Sequence, residues 1–157
     1  IGSGVRVYDI AFGNSKFVAS GSVGAIQTSS NGNSCTTGNS GTTTNTLYGI
    51  TFGNDRFLTV GSTGWLSIST DNGSTFGSLT TPTSYSLYSV AYGNNIFVAV
   101  GNQRVVVDNN TGGNATITEN TLSFNDVTFG NGVFVAVGNN EIIYTSTDGD
   151  SWTKVYP

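Results

Sequence analysis

A chain of 157 residues with 9% charged side chains and a net charge of −4 is long enough for one packed domain. Its five bases, Lys16, Lys154, Arg6, Arg56 and Arg104, are scattered, which excludes phosphate-dense nucleic acid as a partner; the absence of histidine excludes Ser-His-Asp and Cys-His catalysis and histidine metal sites. No apolar run approaches the ~20 residues of a membrane helix, while 22 glycines and 11% aromatics at low net charge point to an ordered, turn-rich, all-β chain rather than disorder.

Residues 1–5 match nothing later and read as a lead-in or as a strand lent elsewhere. The pattern then predicts strands at Val7–Gly13 and Lys16–Gly21 around a turn at Gly13-Asn14-Ser15, a third at Ala25–Ser29, a turn over Ser30–Asn33 and a weak fourth at Ser34–Thr37, followed by a polar linker, Gly38–Asn45. The second unit reads Leu47–Phe52, Arg56–Val60, Trp65–Thr70 and Thr75–Leu79. The third reads Leu87–Tyr92, Ile96–Val100, Arg104–Asp108 and Ala115–Thr118, and the last reads Phe124–Phe129, Val133–Val137, Glu141–Ser146 and Trp152–Tyr156. No segment carries a capped helical period, so helix content is expected near zero.

The spacing comes from one decapeptide that recurs four times: Phe12–Gly21, Phe52–Gly61, Tyr92–Gly101 and Phe129–Gly138, in steps of 40, 40 and 37 residues. Four-stranded units at this period predict a β-propeller with four antiparallel blades, repeats 6–41, 46–84, 85–121 and 122–157 forming one domain over 1–157. The alternatives are a segment of a larger propeller, or a β-solenoid, whose coils have shorter periods and lack repeated hairpins.

Ser69-Thr-Asp71-Asn-Gly73-Ser-Thr75-Phe76 resembles the Asp-box, Ser-x-Asp-x-Gly-x-Thr-Trp, of sialidase-like (BNR) propellers found in bacterial and phage extracellular proteins, with Phe in the Trp position. Ser146-Thr-Asp148-Gly149-Asp-Ser-Trp152 is similar to a form one residue shorter; Ser29–Cys35 and Asp108–Ala115 are degraded copies. Physically, the carboxylate accepts backbone N–H bonds of its own turn, glycine supplies a positive φ and the aromatic packs into the blade, so Ser69, Asp71, Gly73, Phe76, Ser146, Asp148, Gly149 and Trp152 are expected to be structural. Sialidase activity would imply three converging arginines, a Tyr nucleophile with a Glu partner, and an Arg-Ile-Pro motif. Arg6, Arg56 and Arg104 fall at different places in their repeats and no Arg-Ile-Pro occurs.

The expected function is therefore non-enzymatic, without metal or cofactor: an extracellular or cell-surface structural module that self-associates into a fibre or matrix by strand addition through residues 1–7. The alternatives are a glycan-binding module, with Trp65, Tyr85 and Tyr156, less committed to the repeat core than Tyr8, Tyr48 and Tyr88, as stacking candidates, and a divergent glycosidase using Asp9 and Asp126, which share one position in the innermost strands and would line an axial channel in adjacent blades of a closed ring. Sequons at Asn72, Asn109 and Asn114 could accept sugar. With no methionine and no signal-peptide pattern, the sequence reads as a mature or partial product, and the lone Cys35 as a small apolar strand residue.

Overall fold

The computed structural model describes residues 4–81, 83–102, 104–108, 116–119 and 122–156. The described residues form sixteen strands in four antiparallel sheets, each built from four consecutive strands in sequence order. The first sheet is β1 (Val7–Gly13), β2 (Lys16–Gly21), β3 (Ile26–Ser29) and β4 (Thr36–Thr37); the second is β5 (Leu47–Gly53), β6 (Arg56–Gly61), β7 (Leu66–Ser69) and β8 (Gly77–Ser78). The third is β9 (Leu87–Gly93), β10 (Ile96–Gly101), β11 (Arg104–Asp108) and β12 (Thr116–Glu119), and the fourth is β13 (Phe124–Gly130), β14 (Val133–Gly138), β15 (Ile143–Ser146) and β16 (Thr153–Lys154). Among the described residues the helical content is two 3₁₀ turns, Ser22–Gly24 and Ser62–Gly64, one in each of the first two second-to-third strand corners.

Each first hairpin turns on two residues with positive φ, Asn14-Ser15, Asn54-Asp55, Asn94-Asn95 and Asn131-Gly132, the backbone shape whose twist matches the flanking strands. The register pairs Gly13 with Lys16 and Gly53 with Arg56, so the glycine of the Phe-Gly-Asn signature belongs to the strand and not to the turn. Its role lies elsewhere. A Cβ on Gly13, Gly53 or Gly93 would fall inside the ring of Phe52, Tyr92 or Phe129 of the next sheet. The glycine is the socket that lets one blade lie against the next, and the turn residues that follow it set the hairpin.

The outermost strands are shorter than the sequence pattern suggests. β8 covers Gly77–Ser78 rather than Thr75–Leu79, because the Phe76 N–H donates to Asn39 O of the preceding linker at 2.8 Å. β16 likewise covers only Thr153–Lys154. The linker is consequently a wedge: Asn39 bridges Thr75, the Asn39 N–H donates to Ser74 O, and Ser40 is buried.

Apolar residues form clusters between sheets rather than one central core. Val18 and Ile26 of the first sheet meet Leu47, Ile50, Phe57 and Phe76 of the second. Leu58, Val60 and Leu66 meet Leu87, Val90, Phe97 and Ala99, and Ala91, Val98 and Val100 meet Phe124, Val127, Phe134 and Ala136. Inner strands pack in the sequence β1 against β5, β5 against β9 and β9 against β13. Both faces of the middle blades are thus buried, which is why strands such as Phe97–Val100 are continuously apolar; each fully buried Phe, Leu or Val contributes about 1.5–3 kcal/mol.

Gly53→Val is expected to destabilise the chain by about 1–3 kcal/mol through overpacking against Tyr92, whereas Gly130→Val, whose Cβ would meet no atom within 4 Å, is expected to change the stability of the isolated chain by less than about 0.5 kcal/mol. Urea titration of both variants, held at concentrations where the chain is monomeric, measures the contrast.

Candidate functional site

The inner strands bring Asp9, Gly49, Ser89 and Asp126 to equivalent register positions, opposite Ser20, Val60, Val100 and Val137. Just before each, one residue bulges out of the ladder: Tyr8, Tyr48, Tyr88 and Asn125. The bulge re-aims these side chains along one rim. Tyr8 meets Tyr48 edge-on at 5.7 Å between ring centroids, and Tyr48 meets Tyr88 at 5.5 Å. This ladder is half-buried to exposed, so tyrosines that the repeat pattern places in the core are surface aromatics instead. Asn125, in the fourth position, donates to Asn139 Oδ1 at 2.9 Å.

Asp9 and Asp126 do not fall in adjacent blades of a closed ring. The blades pack in chain order and these residues stand in the first and last of them, β1 and β13. Each carboxylate is tied into a contact between neighbouring blades. Asp9 accepts the Ile10 and Ile50 N–H groups, both at 2.8 Å; Asp126 accepts the Ser89 hydroxyl at 2.6 Å and its own Val127 N–H at 2.9 Å. Burial pushes Asp9 above the ordinary carboxylate value, the two N–H donors pull it back, and the charge of Asp126 raises it by the smallest of these effects. The residues fasten strands. They show no hydrogen bond to one another of the kind a proton-sharing pair would need.

The two turns that resemble the Asp-box are closed by their own side chains. Asp71 Oδ1 accepts the Thr75 N–H at 2.9 Å and the Ser69 hydroxyl at 2.7 Å, Oδ2 accepts the Thr75 hydroxyl at 2.6 Å, and Ser69 Oγ accepts the Gly73 N–H at 3.0 Å. The shorter turn repeats this with Asp148 accepting the Asp150 and Ser151 N–H groups and Ser146 accepting Gly149 N–H. Gly73 and Gly149 adopt φ of 81° and 79°. Phe76 is buried, and Trp152 packs on Phe124 while its indole N–H donates to Gly149 O at 2.8 Å. In the first repeat Asn31 takes the place of the aspartate and keeps the Asn33 and Ser34 N–H bonds. There Cys35, in the aromatic position, is exposed rather than packed in a strand. The third copy, with Asn109 and Asn114, lies outside the described residues.

Of the remaining candidates, Asn72 is exposed at the tip of its turn, where its side-chain oxygen accepts from Asn14 Nδ2 at 3.3 Å. Trp65 is half-buried and donates to Ser67 Oγ at 3.2 Å, while Tyr85 and Tyr156 are exposed. Arg6 precedes β1 beside Ser22, and Arg56 opens β6 beside Gly53, at opposite ends of their hairpins. The Arg104 side chain lies outside the described residues. No helix in the described residues is long and apolar enough to cross a membrane.

No protein-family model and no curated protein sequence matches the chain. Solved structures do. YCF48 from Cyanidioschyzon merolae superposes on 100% of this chain and 58% of its own with a TM-score of 0.75 at 17% identity. A structure titled YCF48 bound to D1 peptide covers 99% of this chain and 55% of its own, with a TM-score of 0.66 at 14% identity. The Neurospora crassa Pan2 WD40 domain covers 97% of this chain and 49% of its own, with a TM-score of 0.76 at 11% identity. The fold is a β-propeller. At these identities the likeness speaks for architecture alone, and the chain spans about half the length of each of these three structures.

Hydrogen bonds from Thr75, Ser69 and Ser74 outweigh the opposing effect of burial and hold Asp71 below the ordinary carboxylate value; Ser151, Ser146 and Asp150 do the same for Asp148. A carboxylate depressed in the folded state contributes stability that is present above its unfolded value, near 3.8, and is lost as pH falls through the lower folded value. The melting temperature is therefore expected to drop on acidification below about pH 4. Asp71→Ala should lower stability at neutral pH by about 0.5–1 kcal/mol, as loss of an exposed capping side chain does, and weaken that acid dependence. Asp9 carries the opposite sign: its raised value means that protonation relieves a cost, so its contribution grows as pH falls. Thermal melts of wild type, Asp71→Ala and Asp9→Asn between pH 7 and 3 separate the two.

Proposed function

We propose that this chain is a non-enzymatic propeller module of Asp-box type that acts by binding proteins, further copies of itself included, as a structural component outside the cell or at its surface. The observation that carries the reading is the pair of uncovered end faces. The first sheet leaves Ile10, Phe12 and Phe17 exposed and the fourth leaves Val137 and Ile143 exposed, and contiguous apolar patches of this kind mark association surfaces. A peptide-bound YCF48 structure among those that superpose on the chain fits a protein-binding role for such a module. The low charge and the abundance of Ser, Thr and Asn suit an extracellular setting. Of the segment 1–7 proposed for strand addition, residues 1–3 lie outside the described residues, while Arg6 O accepts the Ser22 N–H at 2.8 Å and Val7 pairs with Gly21 in its own blade, which favours association by faces.

A second reading, glycan binding, rests on the Tyr8–Tyr48–Tyr88 rim, whose half-exposed rings offer stacking surface for a pyranose. Immobilised chain is expected to retain untagged chain from solution and to give no signal on a glycan array. No retention would defeat the self-association reading. Array signal abolished by Tyr48→Ala would establish the second reading in its place.

A further inference from the structure

The two end faces are not merely apolar; they are the two halves of a joint that the chain builds three times internally. In each joint, the leading face of one sheet receives the trailing face of the next. An aromatic ring of the following blade sits on the strand glycine of the preceding one: Phe52 on Gly13, Tyr92 on Gly53 and Phe129 on Gly93. The unmatched members are Phe12 and Gly130. Phe12 is 58% exposed, and a Cβ on Gly130 would meet nothing within 4 Å.

Three further contacts keep the same register. The box glycine Gly73 lies on Val18 of the preceding blade, whereas Gly32, its counterpart in the first blade, has nothing within 4 Å. The channel-position side chain accepts an N–H of the next blade, Ile50 to Asp9 at 2.8 Å and Val127 to Ser89 at 3.3 Å, and Asp126 holds that position in the last blade. Hairpin-turn asparagines donate to the following box turn, Asn14 to Asn72 at 3.3 Å and Asn94 to Thr147 O at 2.9 Å; the box turn that follows Asn54 lies outside the described residues, and Asn131 holds this position in the last blade. Burial repeats the pattern. Ile50 and Phe57 are 4% and 1% exposed where Ile10 and Phe17 are 60% and 36%. On the other side Val60 and Leu66 are 0% and 2% exposed where Val137 and Ile143 are 40% and 38%.

We infer that the free face of the fourth sheet takes the free face of the first sheet of a second copy of this chain, with Phe12 of one copy seated on Gly130 of the other. This rests on the self-association reading above and assigns its surface and register. A second copy is the occupant because each open half needs a partner of the opposite kind, and one chain displays one of each. In a two-chain ring both joints close at once around a twofold axis, a closed symmetric assembly. The joint is a face-to-face packing of two sheets, and burying an exposed Phe or Ile in it supplies the same hydrophobic gain as in the three internal joints.

The test is sedimentation equilibrium of the 157-residue chain, with Gly130→Val and Phe12→Ser variants. Wild type is expected at twice 16.3 kDa. Gly130→Val, which fills the socket without touching its own blade, and Phe12→Ser, which removes the ring from the other face, should each abolish the closed two-chain ring while leaving the circular dichroism spectrum unchanged. Cys35, which lies with Ile10, Phe17 and Ala19 around a cavity of about 240 Å³ on the same face, provides an independent readout. Its alkylation should be about tenfold slower or more in wild type than in Gly130→Val, because reagent reaches the thiol only in the open fraction. A wild-type chain that stays at 16.3 kDa at its highest soluble concentration overturns both this inference and the self-association reading. A two-chain species that survives Gly130→Val and Phe12→Ser with Cys35 still reactive overturns the inference alone and leaves self-association standing through another surface.

Discussion

The contact on which the structure depends is an aromatic ring laid flat against a backbone that has no side chain. Phe52 on Gly13, Tyr92 on Gly53 and Phe129 on Gly93 fix how closely adjacent sheets approach, and that approach decides which residues of the intervening clusters are dry. A four-stranded sheet of this size has two faces and only a thin interior of its own. Its stability is borrowed from its neighbours, as in any array in which each unit contacts only the next. The ring also braces its own hairpin: Phe52 lies 4.7 Å from Phe57, Tyr92 4.7 Å from Phe97 and Phe129 4.7 Å from Phe134. One aromatic thus couples folding within a blade to packing between blades.

The Asp-box-like turns and the channel-position residues do related work at the two edges of each joint. Asp71 and Asp148 tie up backbone N–H groups of turns that have no ladder partner, which positions Phe76 and Trp152 for burial. Asp9 and Ser89 reach across to the next inner strand. Charged and hydroxyl side chains that look like chemistry in a sequence are here consumed by backbone hydrogen bonding, the use to which short polar side chains in turns are most often put.

Much of the fold was legible in the sequence. The 37-to-40-residue period placed all four first hairpins, and the register of β1 with β2 and of β5 with β6 matches the predicted strands to within a residue or two. Three things were not legible, each for a physical reason. The strand glycine reads like a turn residue because Asn follows it, while its cause is a ring some forty residues away. The tyrosines at 8, 48 and 88 read as core because their neighbours are apolar, but a bulge that no local pattern announces turns them onto the rim. Asp9 and Asp126 read as adjacent only on the assumption that four blades close a ring. Packing in chain order puts them in the first and last blades, and the bonds to Ile50 and from Ser89 are contacts between sheets that periodicity cannot supply.

If the joints between faces hold the blades, protection should follow the number of covered faces. Amide hydrogen exchange on the chain held monomeric is the most direct measurement of that. The strands covered on both sides, Phe57–Val60 and Phe97–Val100, should exchange slowest, with free energies near that of global unfolding, while β2 and β14, each covered on one side, exchange through partial openings of lower free energy. Uniform protection across the four hairpins, or slower exchange in β2 and β14 than in β6 and β10, would contradict the dependence of each blade on its neighbours.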